Sequence, residues 1–382
     1  MIFDAVIVGG GPAGAASALL LARAGLSVAI IEKTTFPRRK VCGEFISASN
    51  LPLLHNMGIS DFYLNHAGPE IRRVGLFTAN TILESAMPQG NHALGHWGRA
   101  IGREHFDTQL LKMAVSAGAK LWQPAKVKAL QRQAQFLITI AANGRVEQVC
   151  AHTVIMAHGS WEQGITPHKC THKPSDLLAF KAHFRNSELA PDLLPLLVFP
   201  GGYGGLVQTD DGRLSVSFCI RRDTLTQIRK ACPRLPAGEA VLQYVSESCL
   251  GARQALAHAN REGSWLSVGP IRPGIRKCYE NGLFFAGNIA GEAHPTIAEG
   301  ISMALQSAWL LSQALLKSSH AGQAYTQQWR AYFSKRIHAA ALFAQVAMRP
   351  WAAATVLPLL KQFPSILTFG AKLSGKVKLV MN

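Results

Sequence analysis

Six residues near the N-terminus, Gly9-Gly10-Gly11-Pro12-Ala13-Gly14, restrict the fold more than any other stretch of the chain. The apolar run from Ala5 to Val8 before them reads as a buried strand. Small and aliphatic residues then continue to about Ala24 as a helix, and Ser27 to Ile31 form a second strand ending at Glu32. Strand, glycine turn, helix and strand make a βαβ unit, which places the chain in the α/β class. In the spacing Gly9-x-Gly11-x-x-Gly14 the first glycine permits a tight turn, the second lets backbone approach a pyrophosphate, and the third lets helix pack on strand. The helix N-terminus adds free N–H groups and a positive dipole end for phosphates, and Glu32 is placed to accept hydrogen bonds from a ribose diol. An acid at that point disfavours a 2′-phosphate, which leaves FAD or NAD as the ligand. Asp4, the lack of a basic start and the glycine interruption argue against a signal peptide.

Composition supports a folded chain. With 48% hydrophobic and 16% charged residues in 382, there is enough apolar material for two or three domains. Seven cysteines are too sparse and odd in number for a disulfide scaffold, so reduced thiols in a cytoplasmic setting are expected. The net charge of +17 raises nucleic acid, anionic lipid and acidic ligands as partners. Its distribution is uneven: residues 300–382 hold Lys317, Arg330, Lys335, Arg336, Arg349, Lys361, Lys372, Lys376 and Lys378 and no acid. No stretch interleaves basic residues with aromatics in a nucleic-acid motif, so no nucleic acid is expected. Short apolar runs among these cations suit peripheral attachment to the inner face of a membrane or a mouth for greasy substrate. A competing reading is a membrane or nucleic-acid binder whose flavin is structural.

Three further elements carry a resemblance. Arg38-Arg39-Lys40-Val41-Cys42-Gly43-Glu44 is followed by Phe45-Ile46-Ser47; Gly102-Arg103-Glu104-His105-Phe106-Asp107 precedes Leu110-Leu111; and the stretch from Gly282 to Ile301 includes Gly287-Asn288, Pro295 and Gly300. Together these resemble the FAD-dependent superfamily of aromatic hydroxylases, geranylgeranyl reductases, electron-transfer flavoprotein dehydrogenases and halogenases, above all its geranylgeranyl-reductase-like branch. The resemblance implies FAD, held by Gly9, Gly11, Pro12, Ala13, Gly14, Glu32, Lys33, Arg39, Cys42, Gly43, Arg103, Gly287, Asn288, Pro295, Gly300 and Ile301. It implies a Rossmann-like FAD-binding domain with a β-sheet substrate domain and a helical C-terminal segment. Two departures stand out: Asn288 replaces an aspartate of the family pattern, and Ala298 replaces a glycine.

The resemblance divides the chain into a discontinuous FAD domain (1–60, 96–165 and 270–330), a substrate domain (61–95 and 166–269) and a basic helical segment (331–382). Lys126–Leu130, Gln135–Ala141 and Arg145–Val149 read as a β-meander with a turn at Asn143-Gly144, and Thr153–Ala157 as a separate buried strand. Ser302 to about Phe333 reads as helix, with Trp309, Leu310, Ala314 and Leu315 as its core stripe. Beyond it Pro350, Pro358 and Pro364 cut the apolar sequence into runs shorter than a bilayer requires.

The chemistry is narrowed by what is missing. Halogenases of the superfamily carry a lysine before the Arg103-like helix and a Trp-x-Trp-x-Ile-Pro segment; here no lysine lies between Val41 and Leu111 and no two tryptophans are two apart, so the resemblance does not extend to halogenation. Ala157-His158-Gly159 carries histidine where the hydroxylases have an aspartate, which puts their route of NADPH use in doubt; the donor is NAD(P)H or an electron carrier. Tyr203 survives from the prenyl-reductase segment while its tryptophan and Phe-Pro do not. The catalytic candidates are Cys42 as a proton donor, His294 as a general acid or base with a pKa near neutrality, and Tyr203 facing substrate. Glu44 could set the protonation of Cys42 or bind the flavin, against a solvated loop acid. The expected reaction is oxygen insertion or double-bond reduction on a small hydrophobic prenyl, polyketide or aromatic molecule.

Overall fold

A computed structural model of the chain describes residues 2–160 and 172–381. The expected domain boundary near residue 165 lies outside the described residues.

The first unit is β1 (Ile2–Val8), α1 (Pro12–Arg23) and β2 (Val28–Ile31). β1 sits at the centre of an eight-stranded sheet, parallel to β2 on one side and to residues 150–156 on the other. Buried on both faces, its central residues need to be apolar at successive positions, and Ala5, Val6 and Ile7 are at most 1% exposed. The meander and the separate buried strand expected from the sequence are partly one element. Arg145–Met156 is a single strand whose first half pairs antiparallel with Phe136–Ala142 and whose second half runs parallel to β1. The sequence changes character midway, from exposed Arg145-Val-Glu-Gln148 to buried Val154-Ile-Met156, because the strand passes from the sheet edge to its centre.

A second sheet of seven strands runs in the order Asn260–Ile271, Leu177–Arg185, Leu214–Arg221, Gly202–Gln208, Leu193–Phe199, Arg73–Thr78, Thr81–Ala86. Its strands have two apolar faces. Phe180, Ala182 and Phe184 pack with Val241, Val245 and Ala252 from the helices behind the sheet. Leu177 and Ala179 face the other way with Tyr203 and Cys219, toward the first domain.

The helix expected from Ser302 to Phe333 is two helices, Gly300–Lys317 and Ala321–Ala347. They part where Ser318 turns extended and its hydroxyl accepts the N–H of His320, since serine competes for backbone partners. The core stripe of the first is broader than expected: Ile301, Leu305, Ala308 and Leu311 are buried along with Leu310 and Ala314, whereas Trp309 and Leu315 are only partly so. Residue 331 falls inside the second helix, so no break separates the basic segment from the FAD side. Two more helices, Pro350–Gln362 and Ser365–Leu373, fold back over the second sheet. Leu360 packs on Leu76 and Val198, Ala371 packs with Phe45 and Leu194, and Thr368 hydrogen-bonds Ser85 and the carbonyl of Ala86. Among the described residues no helix is long and apolar enough to cross a membrane.

Candidate functional site

A cavity of about 980 Å³ lies between the two sheets. Its walls include the glycine turn before α1, the segment from Arg38 to Phe45, the stretch from Ala286 to Ala304, and the C-terminal helices. Two glycines are dictated by close approach. Gly9 has φ +108°, and a Cβ on it would stand 2.7 Å from the carbonyl oxygen of Ala157; one on Gly14 would stand 1.9 Å from the carbonyl oxygen of Gly9. The starts of α1 and of the Gly300–Lys317 helix both reach the cavity, and neither has a side-chain cap or an acid in its first turn. Their N–H groups therefore remain available to an anion.

Glu32 ends β2 at 5% exposure. One carboxylate oxygen accepts the Gly10 N–H at 2.7 Å, and the other accepts the Thr34 N–H at 2.9 Å and the Thr34 hydroxyl at 2.5 Å. These bonds fix the acid before any ligand arrives. Gly11 faces two guanidinium groups: Arg38 Nη2 and Arg103 Nη2 lie 3.8 and 3.9 Å from where its Cβ would be. Arg103 is held by Asp107 through two 2.7 Å bonds. Burial pulls its pKa down, but the Asp107 carboxylate more than offsets this and the net shift is upward.

Of the two adjacent arginines, Arg38 and not the expected Arg39 reaches the cavity. Arg38 lines the cavity, whereas Arg39 points the opposite way, with Nη1 2.8 Å from the Cβ position of Gly263 in the second sheet. Both stand in an irregular loop between Ile31 and Phe45, where the direction of each side chain follows from what packs against it and not from the motif alone. Gly9, Gly11, Pro12, Ala13, Glu32, Lys33, Cys42, Gly43, Arg103, Gly287, Asn288, Pro295, Gly300 and Ile301 all border the cavity. Gly14 lies behind them, in the contact of α1 with the turn.

Glu44 is not the solvated loop acid weighed above. It is fully buried at φ +63°, a region that disfavours a side chain. Its carboxylate pairs with Lys181, accepts His183 Nε2–H at 2.8 Å and accepts the Arg103 N–H at 3.2 Å. Burial pushes its carboxyl up, but the Lys181 charge and the His183 hydrogen bond overcome this and hold it well below the usual carboxylate range. Lys181 and His183 are themselves 0% and 1% exposed. The trio ties the turn at Cys42-Gly43 to the second sheet. Neither Lys181 nor His183 was anticipated, although the signal was present: two polar residues at i and i+2 in the otherwise apolar Leu177-Leu-Ala-Phe-Lys-Ala-His-Phe184.

Tyr203 and His294, 91 residues apart, meet on the cavity wall, with the tyrosine hydroxyl 3.1 Å from Nδ1. Burial pulls His294 down to about 4, so the expectation of a histidine titrating near neutrality is corrected: at neutral pH this imidazole is uncharged. Burial also raises Tyr203 well above its ordinary 10 and lifts the neighbouring Cys219 thiol to about 12. Cys42 borders the same cavity and faces Arg103. Asn288 donates to Glu292 at 3.1 Å, and burial raises the pKa of this carboxyl, whose other oxygen accepts from Ser160 at 2.6 Å. Sequence reasoning missed Glu292. It brings a carboxyl group beside position 288, where the family pattern has an aspartate.

The fold and this cleft define a class, a two-sheet protein with a dinucleotide cradle facing an apolar chamber. Residues 3–163 match the FAD binding domain family. Menaquinone reductase from Mycobacterium tuberculosis is 30% identical over 157 residues, covering 41% of this chain and 38% of that protein. Digeranylgeranylglycerophospholipid reductase 2 from Methanopyrus kandleri is 26% identical over 325 residues, covering 80% and 74%. The flavin-dependent brominase Bmp2 shares the fold at a TM-score of 0.78 with 18% identity, over 98% of this chain and 94% of its own. The match thus spans about two fifths of the menaquinone reductase's length. The N-terminal region, residues 3–163, is thus an FAD-binding domain.

The residues present fit FAD. The uncapped start of α1 and two guanidinium groups meet the charge of a pyrophosphate, Glu32 is pre-oriented for a ribose, and the buried Thr296 hydroxyl on the cavity wall has no partner among the described residues.

Proposed function

We propose that this chain is an FAD-dependent reductase of a carbon–carbon double bond in a hydrophobic, prenyl-type substrate. The observation that carries this reading is the Tyr203–His294 pair, a neutral proton-donating couple on the wall of a mostly apolar chamber. Likeness to reductases named for menaquinone and for a geranylgeranyl lipid supports the substrate class. Bound FAD supplies two electrons and one proton as a hydride equivalent. The remaining proton must come from the chain. Tyr203, with its pKa raised, keeps its proton until a developing carbanion takes it. In the tautomer with hydrogen on Nδ1, His294 returns a proton to the tyrosine oxygen and takes its replacement at Nε2 from solvent once the product has left. Cys42, also on the chamber wall, is the second candidate donor. Apolar walls exclude water from both. The electrons reach the flavin from NAD(P)H or a protein carrier.

The chamber mouth suits a substrate drawn from lipid. Phe343, Val356, Ile366, Phe369 and Leu373 line the cavity and are also exposed, Phe369 to 60%. Exposed Lys361 and Lys372 stand in the same helices. This arrangement supports peripheral attachment to an anionic bilayer.

The test is anaerobic turnover. Holoprotein reduced without oxygen is given menaquinone or a geranylgeranyl lipid in detergent, and the product is weighed by mass spectrometry. A gain of two hydrogens is expected. A gain of one oxygen atom in air, with no anaerobic product, would replace the reductase by a monooxygenase.

A further inference from the structure

Glu299 precedes the first residue of the Gly300–Lys317 helix, at the cavity, and is 1% exposed. A carboxylate there opposes any negative charge that a ligand brings to the same helix start. The chain counters it from far away in sequence. Lys376 Nζ lies 3.0 Å from Glu299 Oε1, donates to the carbonyl of Ile297 at 2.9 Å, and sits 4.8 Å from the centre of the Phe45 ring. Arg336 is 4% exposed, donates to Gln306 at 3.2 Å, and lies close enough for Glu299 to act on its charge. Ser47 donates its hydroxyl to the second oxygen of Glu299 at 3.0 Å. One buried acid and two buried cations therefore line the cavity at this helix start, a net formal charge of +1, and both cations come from residues 331–382.

FAD laid from Glu32 past the guanidinium groups at Gly11 leaves its ring for the remaining part of the cavity, which contains Gly300. On reduction a flavin becomes more electron-rich, and a net-positive, water-poor neighbourhood favours that state. We propose that Lys376 and Arg336, acting with Glu299, set the reduction potential of the bound flavin, so that the basic C-terminal segment is part of the redox site. Lys376 is a positioning and electrostatic residue here and not a catalytic one. The inference rests on FAD occupying this cleft and is independent of which substrate is reduced.

The experiment uses full-length holoprotein and measures the flavin midpoint potential by dye-coupled anaerobic titration. Lys376→Met removes a cation and leaves Glu299 short of a partner. It should weaken the preference for reduced over oxidised flavin by at least about tenfold, a fall of about 30 mV for a two-electron couple. Glu299→Gln should move the potential upward, and the double variant should return close to the parent. Opposite shifts that cancel cannot come from a looser tail. Unchanged potentials in both single variants overturn the inference, as does a double variant that keeps the shift of Lys376→Met. If Lys376→Met does not fold, an unmoved or lowered potential in Glu299→Gln overturns it alone. A parent protein that binds no FAD would instead defeat the cofactor reading on which it stands.

Discussion

The two ends of the cavity are built from different materials. Around Gly9, Gly11 and the start of α1 the walls are largely backbone: a tight turn and helix N–H groups, set by Gly9 and Gly14, which have no room for a Cβ. Around Tyr203, His294 and the C-terminal helices the walls are side chains brought together from distant positions, Tyr203 and His294 being 91 residues apart. A backbone site fails abruptly when one atom is added. A side-chain site can be altered one property at a time.

Breaking the first end should give the largest effect. Gly14→Ala puts a methyl group 1.9 Å from the Gly9 carbonyl, so the turn must move; we expect loss of bound FAD in the purified protein, read from the flavin-to-protein absorbance ratio. At the second end, Tyr203→Phe removes one hydroxyl and should lower kcat by roughly 10²- to 10⁴-fold with FAD content and KM little changed. Its partner sharpens the point: because His294 is pulled down to about 4, the pH profile of kcat/KM should show no limb near 6.5. A limb at 6.5 that disappears in His294→Asn would refute the neutral-imidazole assignment.

Between the two ends stands the Glu44–Lys181–His183 trio. Glu44→Gln leaves Lys181 buried without its counter-charge, which typically costs about 3–5 kcal/mol, measurable by urea unfolding. The pH dependence has a definite sign. The folded pKa of Glu44 lies below its ordinary 4.5, so its contribution is complete above that value and is lost as pH falls through it toward the folded value. The parent should therefore lose stability on acidification more steeply than Glu44→Gln. The smallest effect belongs to the outer surface. Reversing Lys361 and Lys372 to glutamate should reduce co-sedimentation with anionic vesicles by on the order of tenfold and leave neutral vesicles unaffected.

The same contrast explains what could be read in advance. The βαβ unit was legible because each of its residues answers a local demand: Gly9 a positive φ, Gly14 a contact within the same turn, Ala5 to Ile7 a doubly buried strand. That Arg38 and not Arg39 reaches the cavity could not be read in advance, because in an irregular loop the direction of each side chain is fixed by what flanks it in space. Lys181 and His183 went unseen because their partner, Glu44, stands 137 and 139 residues away. The histidine assignment failed for a related reason. Residue type gives a reference pKa, but burial decides the actual one, and burial is a property of the assembled walls. Ala298 is the converse case: its φ of +51° is the local backbone demand that a glycine in the family pattern would meet at no steric cost.

The pinning of Lys376 to Glu299 also has a consequence for synthesis. The ribosome makes β1, α1 and β2 long before residue 376, and their mutual contacts can form as soon as Ile31 has emerged. The chamber has no finished wall until residue 376 is out and its ammonium group meets Glu299. A nascent chain thus displays its glycine turn long before it has a sealed site, and cofactor loading should wait until residue 376 has been made.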